Sequence, residues 1–132
     1  MKQVFTKHGS APGAAAAEAG CLRWLREGSE AVVEVLALDE DANTLTIEWV
    51  DSVRPTVDAA RRAGEELAAI HAMGAHAFGA PAAGWDGPNF IGRAQQDCLS
   101  TSRWAPFYTA QRVLPFVIKA HRRGNVSGEG LV

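Results

Sequence analysis

The chain has 132 residues, with 13 Lys+Arg against 15 Asp+Glu and 47% apolar residues. That length supports one domain, but 24 residues are alanine, so a core must lean on few Leu, Val, Phe and Trp side chains. A formal charge of −2 leaves no electrostatic footprint for nucleic acid or an anionic membrane surface, and no uncharged apolar run approaches the roughly 18 residues of a membrane span.

Val4-Phe5-Thr6-Lys7 reads as a short strand, broken by the Gly- and Pro-containing loop from His8 to Gly13. Lys7 and His8 interrupt any apolar leader core, so a secretory signal is not expected. From Ala14 to Glu27 the pattern is helical, with Cys21, Leu22, Leu25 and the flanking Trp24 as an apolar stripe and Gly28 placed for a left-handed cap. Ala31–Leu38 and Thr44–Val50 are β-rich runs around the polar loop Asp39–Asn43, which predicts an antiparallel hairpin and, with the first strand, a small three-stranded sheet.

Pro55 ends the second strand region, and Thr56 is the expected N-cap of a helix from Val57 to His71 or a little beyond, with Ala60, Ala63, Leu67 and Ile70 on one face. Periodicity then vanishes, and Gly74–Asp97 reads as a long loop of the kind usually kept for function. A second long helix is expected over Ser102–Arg123, capped by Ser100, Thr101 or Ser102, kinked at Pro115 and closed by Gly124 and Asn125, before a mobile tail over Asn125–Val132. Strand, helix, two strands and then helices only make an α+β chain.

Chemistry-bearing patterns are few. His71 and His76 stand five residues apart and point to different helix faces, His8 and His121 are unaccompanied, and no GxSxG, HExxH, Walker loop or GxGxxG occurs. Cys21 and Cys98 are isolated, which reads as reduced thiols of a cytoplasmic protein. Lys7 at the end of a strand and Glu18 in the next helix could form the pair that holds a phosphate-binding ammonium extended, or simply be two solvated charges. Leu45–Val50 followed by Asp51 could be a hinge that offers backbone groups to adenine, or an ordinary edge strand.

Several segments occur in series: Val4-Phe5-Thr6-Lys7, Glu18 through Leu25, Leu45-Thr46-Ile47-Glu48-Trp49, Gly64 through His71, Phe78-Gly79, Asn89-Phe90-Ile91-Gly92, Gln96, Trp104 through Tyr108, and Arg112-Val113-Leu114-Pro115. Together they resemble the fructosamine (ketosamine) kinase family, relatives of the aminoglycoside phosphotransferases with a protein kinase-like fold. The resemblance implies an incomplete kinase-like fold, with residues 1–54 as a partial N-lobe and hinge and residues 55–132 as the first helices of the C-lobe. It gives Lys7 the phosphate-binding role, Glu18 the ion-pair partner's role, and Glu48, Trp49 and Val50 the adenine hinge. The loop from Phe78 to Gln96 and the Trp104 helix would then shape the C-lobe near a sugar-amine substrate.

The family's reaction, ATP- and Mg²⁺-dependent phosphorylation of a sugar hydroxyl on a ketosamine small molecule or glycated protein, is what the resemblance implies for a full-length member. Such members have two further strands and a Gly-rich turn before the lysine strand, and an H-G-D-x-x-x-x-N loop further on. The chain is therefore expected to be truncated at both ends and inactive alone, with no catalytic residue of its own to name. Ala94-Gln95-Gln96-Asp97-Cys98 also departs from the family's Pro-Gln-x-Asn pattern. The rival expectation is a non-catalytic binding or assembly module on the same scaffold, self-associating through exposed edges; an unrelated α+β domain is the third.

Overall fold

The computed structural model describes residues 3–131. β1 (Val4–His8), β2 (Val35–Asp39) and β3 (Thr44–Glu48) form an antiparallel sheet in the order β1-β3-β2, with Lys7 opposite Leu45 and Val4 opposite Glu48. The predicted hairpin and three-stranded sheet are both present, although the second strand starts at Val35 because Ser29–Val32 closes a turn instead. A bulge between Val35 and Ala37 leaves Leu36 as the extra residue and interrupts that edge.

α1 (Ala14–Arg26) packs across β2 and β3. Its deep burial falls on Ala14 to Ala17 and Ala19, whereas the expected stripe of Cys21, Leu22, Trp24 and Leu25 is only half-buried. Small side chains let the helix axis approach the sheet, so Ala15 and Ala19 meet Leu45, and Leu22, Val35, Leu38 and Ile47 close around them. Leu45 is the large side chain that is fully enclosed, at 0% exposure.

No side chain caps the N-terminus of α1 locally, where Gly13 holds the N-cap position. Asn43, at the end of the hairpin loop, does that work across space. Its Oδ1 accepts from the Ala15 N–H at 3.1 Å, its Nδ2 donates to the carbonyls of Ala11 (2.8 Å) and Gly9 (3.3 Å), and its own carbonyl accepts from the Gly9 N–H at 2.8 Å. Asn43 holds these bonds in the left-handed region, at φ 49°.

α2 (Val57–Met73) starts as predicted, with Thr56 Oγ1 accepting from the Ala59 N–H at 3.1 Å, and runs one residue pair beyond His71. Gly28 corrects its sequence reading. It is not among the left-handed residues; a Cβ there would sit 2.7 Å from Met73 Sδ and 3.0 Å from Ile70 Cα, so it is glycine because α2 lies against it. Next to it the buried Ser29 hydroxyl donates to Glu66 Oε2 at 2.5 Å and accepts from the Ala31 N–H.

The stretch Gly74–Asp97 is not wholly loop. β4 (Asn89–Ile91) and β5 (Ala94–Gln96) pair as a hairpin around the two-residue turn Gly92-Arg93, and β4 lies against α1. The final helical stretch is three pieces: α3 (Trp104–Phe107), a π-helical segment over Tyr108–Val113, and α4 (Leu114–Arg122). Pro115 does interrupt the ladder, but the π turn absorbs the missing bond and leaves Pro115 in the first turn of α4. The Ser/Thr cap expected there is not made, since Arg103 is the N-cap and lacks a side-chain bond.

The π segment aims Gln111 at Leu99, with both backbone groups of Leu99 bonded to its amide (3.0 and 2.7 Å), and Arg112 at the Asp97 carbonyl (2.8 Å). At the far end Gly124, with φ 75°, donates to the His121 carbonyl and Asn125 to the Ala120 carbonyl, a Schellman closure. Gly128–Leu131 forms a short 3₁₀ turn where the tail was expected to be mobile, and Val132 lies outside the described residues. Among the described residues no helix is long and apolar enough to cross a membrane.

Candidate functional site

A cleft of about 350 Å³ opens between the end of β1, the loop after it, α1 and the β4–β5 hairpin. Lys7, His8, Gly9 and Ser10 form one wall, Ala14, Ala17, Glu18 and Cys21 the second, and Asn89, Phe90 and Gly92 the third. Its size lies within the range of small-molecule sites. The wall from β4 comes from the Asn-Phe-Ile-Gly segment, so that sequence pattern reaches the same concavity as Lys7.

Lys7 Nζ donates to Glu18 Oε1 at 2.7 Å, with the two side chains 36% and 39% exposed. An ion pair so open to water adds little to folding stability, because solvent screens it and two long side chains lose freedom. Its effect is positional: β1 and α1 are rigid, so the ammonium is held extended toward the cleft with two N–H donors beyond the one given to Glu18. Ser10 ties the loop to the hairpin, its hydroxyl donating to the Gly92 carbonyl at 2.5 Å. His8 Nδ1 pairs with Thr44 Oγ1 at 3.0 Å, which fixes the ring on the strand.

Cys21, on the floor of the cleft, has a thiol held above its ordinary value of 9.0, first by burial and then by the nearby Cys98 and Glu18. Both cysteines are free thiols, as the sequence suggested.

Glu48, Trp49 and Val50 stand at the other end of the sheet. Glu48 is opposite Val4 and Leu45 is opposite Lys7, so the stretch begins three residues, about 10 Å, from the Lys7 register position. None of the three lines the Lys7 cleft. The Glu48 N–H donates to the Glu34 carbonyl (3.0 Å) and the Trp49 N–H to the Gln3 carbonyl (3.3 Å). Trp49 tilts against Phe5 with ring centroids 6.4 Å apart, and its Nε1 donates to Asp51 Oδ1 at 2.9 Å. The Val50 side chain is exposed, and its N–H forms no hydrogen bond among the described residues.

The family resemblance paired Lys7 with Glu18, where the residues alone left two solvated charges open, but it did not place Ser10 or Cys21 in the cleft or Asn43 behind it. Asn43 left one trace, a residue tolerant of left-handed backbone at the end of a polar loop. Ser10 and Cys21 left none, because nothing local shows which loop a helix face will meet. Among the described residues no group of three His, Cys, Asp or Glu side chains is placed to hold a metal.

The family model for fructosamine kinase matches residues 2–130 of this chain. A Synechocystis sp. protein assigned as a ketoamine kinase is 34% identical over 89 residues, which is 67% of this chain and 29% of that protein. A crystal structure of a Thermobifida fusca protein assigned as a fructosamine-3-kinase superposes with a TM-score of 0.84 at 37% identity, covering 98% of this chain and 45% of the other. The chain thus spans less than half the length of each of these two relatives.

Proposed function

The chain belongs to the fructosamine kinase family and carries a partial kinase-like fold; from that premise we propose that the Lys7–Glu18 cleft is the phosphate end of an ATP site. The observation that supports this most is the 2.7 Å contact between Lys7 and Glu18 inside a cleft that the Asn-Phe-Ile-Gly segment also walls. The residues fit a nucleotide's anionic end: the positioned Lys7 ammonium, with two N–H donors to spare, faces a concavity that Asn89 also lines. ATP, when bound, would supply the phosphoryl group for transfer to a sugar hydroxyl of a ketosamine or glycated protein.

Lys7 would hold the phosphate charge, and Glu18 would keep Lys7 from folding back onto the strand. Glu48, Trp49 and Val50 would meet the adenine, with the Val50 N–H, which forms no hydrogen bond among the described residues, as the donor. Residues 1–54 then act as the N-lobe and hinge, and residues 55–132 as the start of the C-lobe. The carboxylate that lines the cleft, Glu18, is engaged by Lys7 and is not free to take a hydroxyl proton. Among the described residues no group of three His, Cys, Asp or Glu side chains is placed to hold Mg²⁺. In this reading the chain by itself binds nucleotide without turnover, in the cytoplasm, where its two thiols stay reduced.

Calorimetric titration of the chain with ATP, beside Lys7→Ala and Glu18→Gln, tests this. Loss of a charge-assisted contact to phosphate weakens binding about tenfold or more in Lys7→Ala. Equal affinity in Lys7→Ala overturns the site, and phosphorylation of a ketosamine by the chain alone overturns the inactivity. A second reading, a binding or assembly module, draws on the exposed Val57 and Leu67 of α2 and on Val4 and Phe5 at the sheet edge. It calls for a defined dimer mass with no response to nucleotide.

A further inference from the structure

On the far side of the β4–β5 turn lies a second groove, of about 450 Å³, lined by Gln95, Phe116 and the cations Arg93, Lys119 and Arg123 among others. We propose that this groove binds an oxyanion group, a phosphate monoester or a carboxylate, between Arg93 of the turn, Lys119 in the last turn of α4 and Arg123, the residue that caps α4. The site is separate from the Lys7 cleft and does not depend on the kinase reading.

Three cations from two elements converge on one concavity, and among the described residues no carboxylate lines it. Asp97 lines only the adjoining cavity, which shares Gln95, Phe116 and Lys119 with the groove. Among the described residues none of Arg93, Lys119 and Arg123 forms an ion pair. Lys119 rests its Nζ over the Phe116 ring, 5.6 Å from the centroid, which holds it along the groove instead of free in water.

Cations at the end of a helix often serve only to offset its negative pole. That role is weakened here, because the exposed end is already closed. The Ala120 carbonyl accepts from the Asn125 N–H at 3.0 Å and the His121 carbonyl from the Gly124 N–H at 2.9 Å. Arg93, moreover, is not on the helix at all. His121 turns its Nδ1 to the Val126 carbonyl at 2.9 Å and does not line the groove. Like charges gathered around a concavity repel one another, and a bound anion relieves that repulsion.

The turn separates the two clefts by one residue. Gly92 lines the Lys7 cleft and Arg93 the basic groove, with their Cα atoms about 3.8 Å apart. An anion probe could therefore settle at either, and the variants must tell them apart.

The test is a calorimetric titration of the full chain with sodium phosphate, and separately with sodium succinate, repeated for Arg93→Gln/Arg123→Gln and for Lys7→Ala. The proposal expects saturable binding of at least one probe, weakened about tenfold or more in the double variant and still present in Lys7→Ala, where only a separate contribution of the Lys7 cleft is lost. It also expects binding to weaken as chloride is raised. A preference for phosphate assigns a phosphate monoester, and a preference for succinate assigns a carboxylate. Both arginines are exposed, so far-ultraviolet dichroism should match the parent chain. No saturable binding of either probe, an unchanged affinity in the double variant, or a loss in Lys7→Ala equal to that in the double variant each overturns the proposal. The last outcome would place the anion at the Lys7 cleft and support that reading instead.

Discussion

Replacing Asn43 by alanine tests how the cleft is built, because one side chain bonds the helix that carries Glu18 and the loop that carries Ser10. Asn43→Ala strands the Ala15 N–H at the start of α1, the equivalent of losing an N-cap, about 1 kcal/mol. It also removes the Nδ2 bonds to the Ala11 and Gly9 carbonyls, about another 1 kcal/mol. Alanine at φ 49° adds about 1 kcal/mol of backbone strain. The sum, about 3 kcal/mol, is a large part of the roughly 5–15 kcal/mol available to a domain and lowers Tm by about 10 °C. Asn43→Gly avoids the strain and should cost about 2 kcal/mol. Asn43→Asp keeps an acceptor at the helix N-terminus and should cost about 1 kcal/mol. Urea unfolding followed at 222 nm reads the three values. An Asn43→Ala loss under about 0.5 kcal/mol, or alanine proving milder than glycine, refutes the reasoning. Since Gly9 and Ser10 line the cleft, Asn43→Ala should also weaken ATP binding well below its own melting temperature.

Gly28→Ala places a methyl 2.7 Å from Met73 Sδ and 3.0 Å from the Ile70 backbone and should cost about 1–3 kcal/mol. Adding Met73→Ala should recover part of that loss, and a fully additive double variant in urea unfolding would show that the two residues do not meet. For Cys21, burial first and then Cys98 and Glu18 raise the thiol pKa above 9.0. Iodoacetamide alkylation of Cys21 in a Cys98→Ser background should therefore titrate above 9.0, and Glu18→Gln should move that midpoint down and speed the reaction at pH 8. The linked stability has a definite sign. The unfolded thiol loses its proton first, so stability is level below pH 9 and falls as pH rises from there toward the folded value. A midpoint that Glu18→Gln leaves in place contradicts the assigned cause.

Elements whose signals are local were legible before folding. Thr56 caps α2 because a threonine followed by a periodic run satisfies the helix's own first amides, and Gly124 closes α4 because the chain must turn left-handed there. Lys7 and Glu18 meet because one ends a strand and the other occupies the second turn of the next helix, a separation the connecting loop keeps short. The rest depended on who the neighbour is. The buried face of α1 fell on its alanines, since only contact with the sheet decides which small residues allow close approach. Gly28 looked like a cap and proved to be a place where another helix rests. The β4–β5 pair is three residues a side, too short for any period to show, and exists through its ladder and its contact with α1. The amino-acid order by itself thus determined the three-stranded sheet, α1 and α2, and the family resemblance added the pairing of Lys7 with Glu18. Packing between distant segments decided which walls close the cleft, why Asn43 holds them, and that a second, cationic groove lies one residue beyond, because such contacts join groups with no relation along the chain.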